Sequence, residues 1–200
     1  MARYLCVERM LAETESVPVV LPRGIASVAR QVDPTAPAET MPENTRVEAP
    51  FWMVPALAAR HLATAKVPKA VFGCELKSKV EADPGCVNLR ERSAHFYELA
   101  LMLVDETHRR TPGASRADSE LFKLTRRAFE GRYQQLLVKA LNCSNNEATL
   151  LLPKLTSEER ALFERARAAR AAYRTWHATK EPRLTASRAV ATGKRKASGA

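Results

Sequence analysis

The hydrophobic period changes at Pro68, and that change limits the chain to a small β-rich part followed by helices. Before it, apolar residues come in short β-prone runs that prolines interrupt, Glu15-Ser16-Val17-Pro18-Val19-Val20 and Glu48-Ala49-Pro50-Phe51-Trp52-Met53. Proline lacks a backbone donor, so each run is expected at an edge strand, a strand end or a helix start. Residues 17–21, 25–32, 46–48 and 64–67 read as short strands, with proline-containing breaks at 33–37 and 41–44. A short helix is expected over 4–13, and another near 51–61 with Pro55 in its first turn.

Beyond Pro68 the spacing is helical. Residues 71–81 read as a helix stopped by Asp83-Pro84-Gly85, and residues 89–108 as a second, with Phe96, Leu99, Ala100 and Leu103 on one face. A long helix over 116–141, with Ser115 or Asp118 as N-cap, carries Leu121, Leu124, Ala128, Phe129, Tyr133, Leu136, Leu137 and Leu141. Residues 142–146 read as a polar break and 150–155 as an apolar connection. Thr156-Ser157-Glu158-Glu159 is a capping box, in which the Thr156 hydroxyl and the Glu159 carboxylate meet free backbone donors at a helix start. The helix it opens places Leu162, Phe163, Ala166, Ala169, Tyr173 and Trp176 on one side and five arginines over much of the rest. The expected fold is mainly α with a small N-terminal β-rich module (α+β), the helices forming a bundle. The expected division is 1–68 for the module, 69–180 for the helical domain and 181–200 for a disordered basic tail. Few contacts are expected across Pro68.

Composition excludes several classes. The longest apolar run, residues 99–104, is far short of the roughly 20 residues that span a bilayer, and Glu8, Arg9 and Glu13 stand where a leader would be apolar. A soluble intracellular protein with no membrane partner is expected. Cys6, Cys74, Cys86 and Cys143 are far apart, which suggests neither a zinc site nor a disulfide framework. His61, His95, His108 and His177 stand alone, and no phosphate-cradling loop, His-Glu-x-x-His or Gly-x-Ser-x-Gly motif is present. The expectation is therefore no enzyme, no catalytic residue, no metal and no cofactor. Net charge is +10, but six basic residues against one acidic in 180–200 supply half of it. A free-standing basic nucleic-acid-binding protein is the alternative that this charge supports. Against it, Tyr173 and Trp176 fall on the apolar side of the last helix, which leaves its arginines without the exposed aromatics that stacking on single strands uses.

Hydrophobic surface remains to be covered. Residues 99–104 are apolar all around a helix, so either a three- or four-helix unit hides them internally or a partner chain does. The broad apolar face of the 116–141 helix favours the partner. Candidate subunit-interface residues are Phe51, Trp52, Leu101, Met102, Phe129, Tyr133 and Leu137. For Trp52, placed beside Phe51 on a strand, the core is favoured over the interface.

Five stretches in one order carry a resemblance: 10–20, 47–53, Val67-Pro68-Lys69, Ala82-Asp83-Pro84 with Val87-Asn88-Leu89, and His95-Phe96-Tyr97-Glu98-Leu99. Together they resemble GINS subunits of the third Psf type, non-catalytic parts of a heterotetramer that serves the replicative helicase. The resemblance implies a nuclear protein whose partners are three other GINS subunits, the MCM ring and its companion activator. It implies a part in starting and elongating DNA replication. Weak non-specific DNA contact is a further expectation, attached to the basic residues.

Overall fold

A computed structural model describes residues 6–22, 44–110 and 115–179. By internal contacts the chain divides into two compact units, Met1–Ala166 and Arg167–Ala200. In the first unit, helix α1 (Val7–Glu13) precedes strand β1 (Ser16–Leu21), and β2 (Thr45–Pro50) pairs with it from Ser16↔Pro50 to Leu21↔Thr45. The short β3 (Thr64–Ala65) joins the other side of β1, giving an antiparallel sheet in the order β2-β1-β3. The expected strand over 25–32 lies outside the described residues, as does the basic tail over 181–200.

β1 is thus the central strand, although Pro18 argued for an edge. The exception is possible because β3 pairs only with Val19 and Val20, so no ladder bond is asked of Pro18 nitrogen on that side. The Pro18 carbonyl still accepts from Lys66 N at 2.9 Å. Val19, Leu21, Val47, Ala49, Val54, Ala63 and Ala65 form one buried cluster beneath the sheet.

Pro50 ends β2, and Phe51–Met53 form a 3-10 turn that runs into α2 (Val54–Ala59) with Pro55 in its first turn. The turn replaces the expected strand geometry. Phe51 points into the core at 6 % exposure and Trp52 outward at 58 %, which reverses the expectation for Trp52.

The helical part begins with α3 (Lys69–Phe72) and α4 (Cys74–Ala82) in place of one helix over 71–81. They break at Gly73, where a Cβ would lie 2.5 Å from the Lys69 carbonyl oxygen. Helix α5 runs Phe96–Arg110, starting seven residues later than the periodicity suggested, because the Ser93 hydroxyl takes the His95 N–H in a local turn of 3.1 Å. α6 spans Glu120–Asn142 after a 3-10 turn at Arg116–Asp118, which Ser115 caps. The expected break and connection over 142–155 contain α7 (Asn145–Leu151) and a 3-10 turn. Ser144 and Glu147 form a capping box there, a Ser-x-x-Glu signal that opens a helix where the polar composition suggests a break. The second capping box is as expected: Glu159 N donates to Thr156 Oγ1 and Thr156 N donates to Glu159 Oε2, opening α8 (Ser157–Ala178).

The main core joins both parts of this unit. Ala12, Val17 and Phe51 share one cluster with Phe72, Leu76, Val80, Phe96, Leu99 and Leu103. A further cluster, centred on Leu136, Leu155 and Phe163, holds α6, α7 and the start of α8 together. Few contacts across Pro68 were expected, but short strands cannot bury both faces of so small a sheet, and the helices complete the job.

At Gly131 in α6 the helix meets the turn after α4 at very close range, since a Cβ would lie 2.2 Å from Pro84 Cγ. Gly131→Ala would gain about 1 kcal/mol of helix propensity, but overpacking costs typically 1–3 kcal/mol. The expected result is net destabilisation, checked by the melting temperature against that of an exposed alanine control at Gln134. A variant as stable as the parent would mean that the turn yields freely.

Candidate interaction surface

A charged centre fixes how the helices sit in the first unit. Glu159, 2 % exposed, receives Arg132 Nε at 2.5 Å and Nη2 at 3.0 Å, and the Tyr97 hydroxyl at 2.8 Å. The same carboxylate closes the α8 capping box. Arg132 also donates to the carbonyls of Pro84 and Val87. One ion pair therefore ties α5, α6, α8 and the turn after α4 together. Burial and then the neighbouring Glu159 charge push the Tyr97 hydroxyl well above the usual tyrosine range. Burial alone would lower the Arg132 pKa, but Glu159 outweighs it and the guanidinium titrates above its usual range. The periodic apolar pattern gave no hint of this network, because its members look like surface charges in sequence.

From this centre an aromatic chain leads outward. Phe72, Phe96, Tyr97, Phe129 and Tyr133 follow one another at centroid separations of 4.9, 5.3, 5.5 and 5.6 Å. Phe96 is buried, whereas Phe129 and Tyr133 reach the surface. They continue along α6 at every fourth residue, through half-buried Leu137 to exposed Leu141, while the exposed Val138 lies on another side of the helix. The buried residues of α6 are only Thr125, Ala128, Leu136 and Ala140, so the chain covers a narrow part of the broad apolar face read from the sequence.

The candidate interface residues separate accordingly. Trp52, Leu101, Phe129 and Tyr133 are exposed and Leu137 is partly so, whereas Phe51 and Met102 are buried within the chain. In residues 99–104 only Leu101 faces outward. The segment that is apolar all around is thus covered mostly by its own chain. Trp52 lies apart from the α6 stripe, over a groove lined by Arg9, Glu13, Pro55, Asp105 and Arg109.

The four cysteines are free thiols. Cys86 donates to Asp83 at 2.9 Å, and that hydrogen bond together with the carboxylate's charge raises the thiol above its ordinary range. Such a cysteine is a poor nucleophile. Among the described residues, no group of three or more His, Cys, Asp and Glu is placed to hold a metal ion, and no helix is long and apolar enough to cross a membrane.

In the second unit, the end of α8 departs from expectation. Tyr173 and Trp176 are 60 % and 50 % exposed, with ring centroids 5.7 Å apart at 31°, and His177 lies 6.0 Å from Tyr173. The apolar side of the helix thus emerges among its arginines. The sequence spacing was right, but spacing alone cannot tell a covered stripe from an uncovered one.

A family model described as "Sld5: GINS complex protein helical bundle domain" matches residues 74–178, from α4 to the end of α8. The chain is 23 % identical over 195 residues to the DNA replication complex GINS protein PSF3 of Xenopus laevis, covering 96 % of this chain and 89 % of the relative. It is 24 % identical over 199 residues to the mouse protein of the same name, covering 96 % and 88 %. The match to the psf3 protein of Schizosaccharomyces pombe is 25 % over 97 residues, covering 48 % and 54 %.

Proposed function

Because the chain belongs to the GINS complex helical bundle family, we propose that it serves as the third Psf-type subunit of that complex in DNA replication. As a member of this family it is a structural subunit and not an enzyme. The observation that carries the assembly reading is the α6 stripe of Phe129, Tyr133, Leu137 and Leu141, which is exposed or half-exposed in this chain. Rigid aromatic side chains held by a core on one side and open on the other suit a subunit interface. Leu101 on α5 is a further exposed apolar side chain. The three other GINS subunits are its direct partners in this reading, with the MCM ring and its companion activator joined through the whole complex in the nucleus. Residues 1–68 and 69–180 act as two structurally distinct parts with a shared core, and 181–200 as a basic appendage. The separate cluster beneath the sheet supports that division.

Tyr133→Asp combined with Leu137→Asp tests the interface. Each places a charge on a face that assembly would dry, and the pair is expected to reduce heterotetramer yield by at least about tenfold. Co-expression with the three partner subunits, followed by size-exclusion chromatography with mass measurement, reads this out. Circular dichroism of the variant checks that the helices persist. An intact tetramer at wild-type yield would remove α6 from the interface. A soluble, cooperatively folding monomer that ignores its partners would overturn the subunit reading.

A further inference from the structure

We propose that a groove where α6 meets the turns after α4 and α7 receives the C-terminal residue of a partner chain, one with an apolar side chain. The groove holds about 260 Å³ and lies wholly in the first unit. Leu136, Leu151 and Leu155 give it an apolar floor, and Lys139 and Lys154 stand at its rim. Local structure sets both. Leu136 and Lys139 are three positions apart on α6 and so share a side of the helix, with the leucine buried in the bundle and the lysine in solvent. After α7, the 3-10 turn Leu152–Lys154 brings Lys154 to the same rim and leads into the buried Leu155.

The charge at the rim is uncompensated. Arg132 also lines the groove, but its guanidinium is engaged by Glu159 and by the Pro84 and Val87 carbonyls. Lys139 and Lys154 make no ion pair among the described residues, and no acidic residue is among those that line the groove. A fitting ligand therefore brings a negative group to the rim and an apolar group to the floor. A nucleic acid has the phosphates, but leucines give its bases no ring to stack on. An internal acidic residue has the carboxylate, yet its neighbours in an extended chain point to the opposite side, which leaves the floor empty. A chain end carries a carboxylate and an apolar side chain on one Cα, so a single residue meets both demands. The volume lies just below the roughly 300–1,000 Å³ of pockets for drug-sized ligands, which suits one residue rather than a length of chain.

The test uses the full chain with carbon-13 methyl-labelled leucines, alone and assembled with its partner subunits, titrated with the free-acid pentapeptide Gly-Ser-Gly-Ser-Leu. The methyl resonances of Leu136, Leu151 and Leu155 are expected to shift together and to saturate. Amidating the peptide's C-terminus removes the charge and should weaken binding by about fivefold or more. Lys139→Met with Lys154→Met should bring the free acid down to the affinity of the amide while leaving the amide unchanged, and both lysines are exposed, so the fold is kept. Equal binding of acid and amide to the parent chain would overturn the proposal. So would binding of Gly-Ser-Glu-Ser-Gly-amide as tight as that of the free acid, which would assign the groove to an internal acidic segment, or of oligothymidylate, which would assign it to nucleic acid. Shifts present in the chain alone but absent from the assembly would show that a subunit covers the groove and would also overturn it. The arm without partners does not depend on assembly, so failure here is distinguishable from failure of the subunit reading.

Discussion

Arg132→Met is expected to lower stability by about 3–5 kcal/mol, the range for stranding one partner of a buried ion pair. Glu159 would keep its place beneath α8 with no countercharge, while the Pro84 and Val87 carbonyls would lose their donor. Glu159→Gln in the same chain should recover much of the loss, because the amide carries no charge and its single oxygen can still accept from either Tyr97 or Thr156 N, though not from both. The double mutant should therefore be more stable than Arg132→Met alone. Chemical denaturation of the purified assembly, with m-values compared, separates this from a change in the denatured state. A single-mutant cost below about 1 kcal/mol, the range for exposed pairs, would show that water reaches the carboxylate.

The second large effect concerns the N-terminal part. A fragment beginning at Lys69 is expected to lose cooperative unfolding, although the sequence marks a boundary there. Removing residues 1–68 strips Ala12, Val17 and Phe51 from the cluster that also holds Phe96, Leu99 and Leu103. Loss of a buried phenylalanine alone costs about 3–5 kcal/mol, a large share of the roughly 5–15 kcal/mol that holds a domain folded. The fragment should keep helical circular dichroism, bind hydrophobic dye and melt over a broad range. A sharp transition near that of the full chain would show that the helices complete their own core, as the expectation of few contacts across Pro68 supposed.

How far the sequence could be read depended on which physical signal a residue carries. Helices with regular apolar spacing were legible, as α6 shows even though neither Ser115 nor Asp118 caps it, and so was the start of α8 at the Thr156–Glu159 box. Boundaries set by one local contact were not, since neither the Ser93 turn before α5 nor the backbone crowding at Gly73 leaves a periodic trace. Of the candidate interface, Leu101, Phe129 and Tyr133 were identifiable as apolar residues in excess of one layer, but Phe51 and Met102 turned inward. Only the packing of neighbours decides that. Trp52 went the other way because Phe51 takes the inward position that the adjacent pair leaves to only one of them. Arg132 and Glu159 were illegible as a pair, for they lie 27 positions apart on helices whose relative placement the sequence does not state.

Pro18 has a consequence for the chain before its partners arrive. In a strand the N–H and C=O of one residue point the same way, and the Pro18 carbonyl faces the side that β3 covers only at Val19 and Val20. Lys66 N takes that carbonyl, and Pro18 has no N–H to offer beside it. Before residues 64–66 have settled against β1, a strand from another molecule would find no donor at that point, so the proline guards a newly made chain against edge-to-edge aggregation.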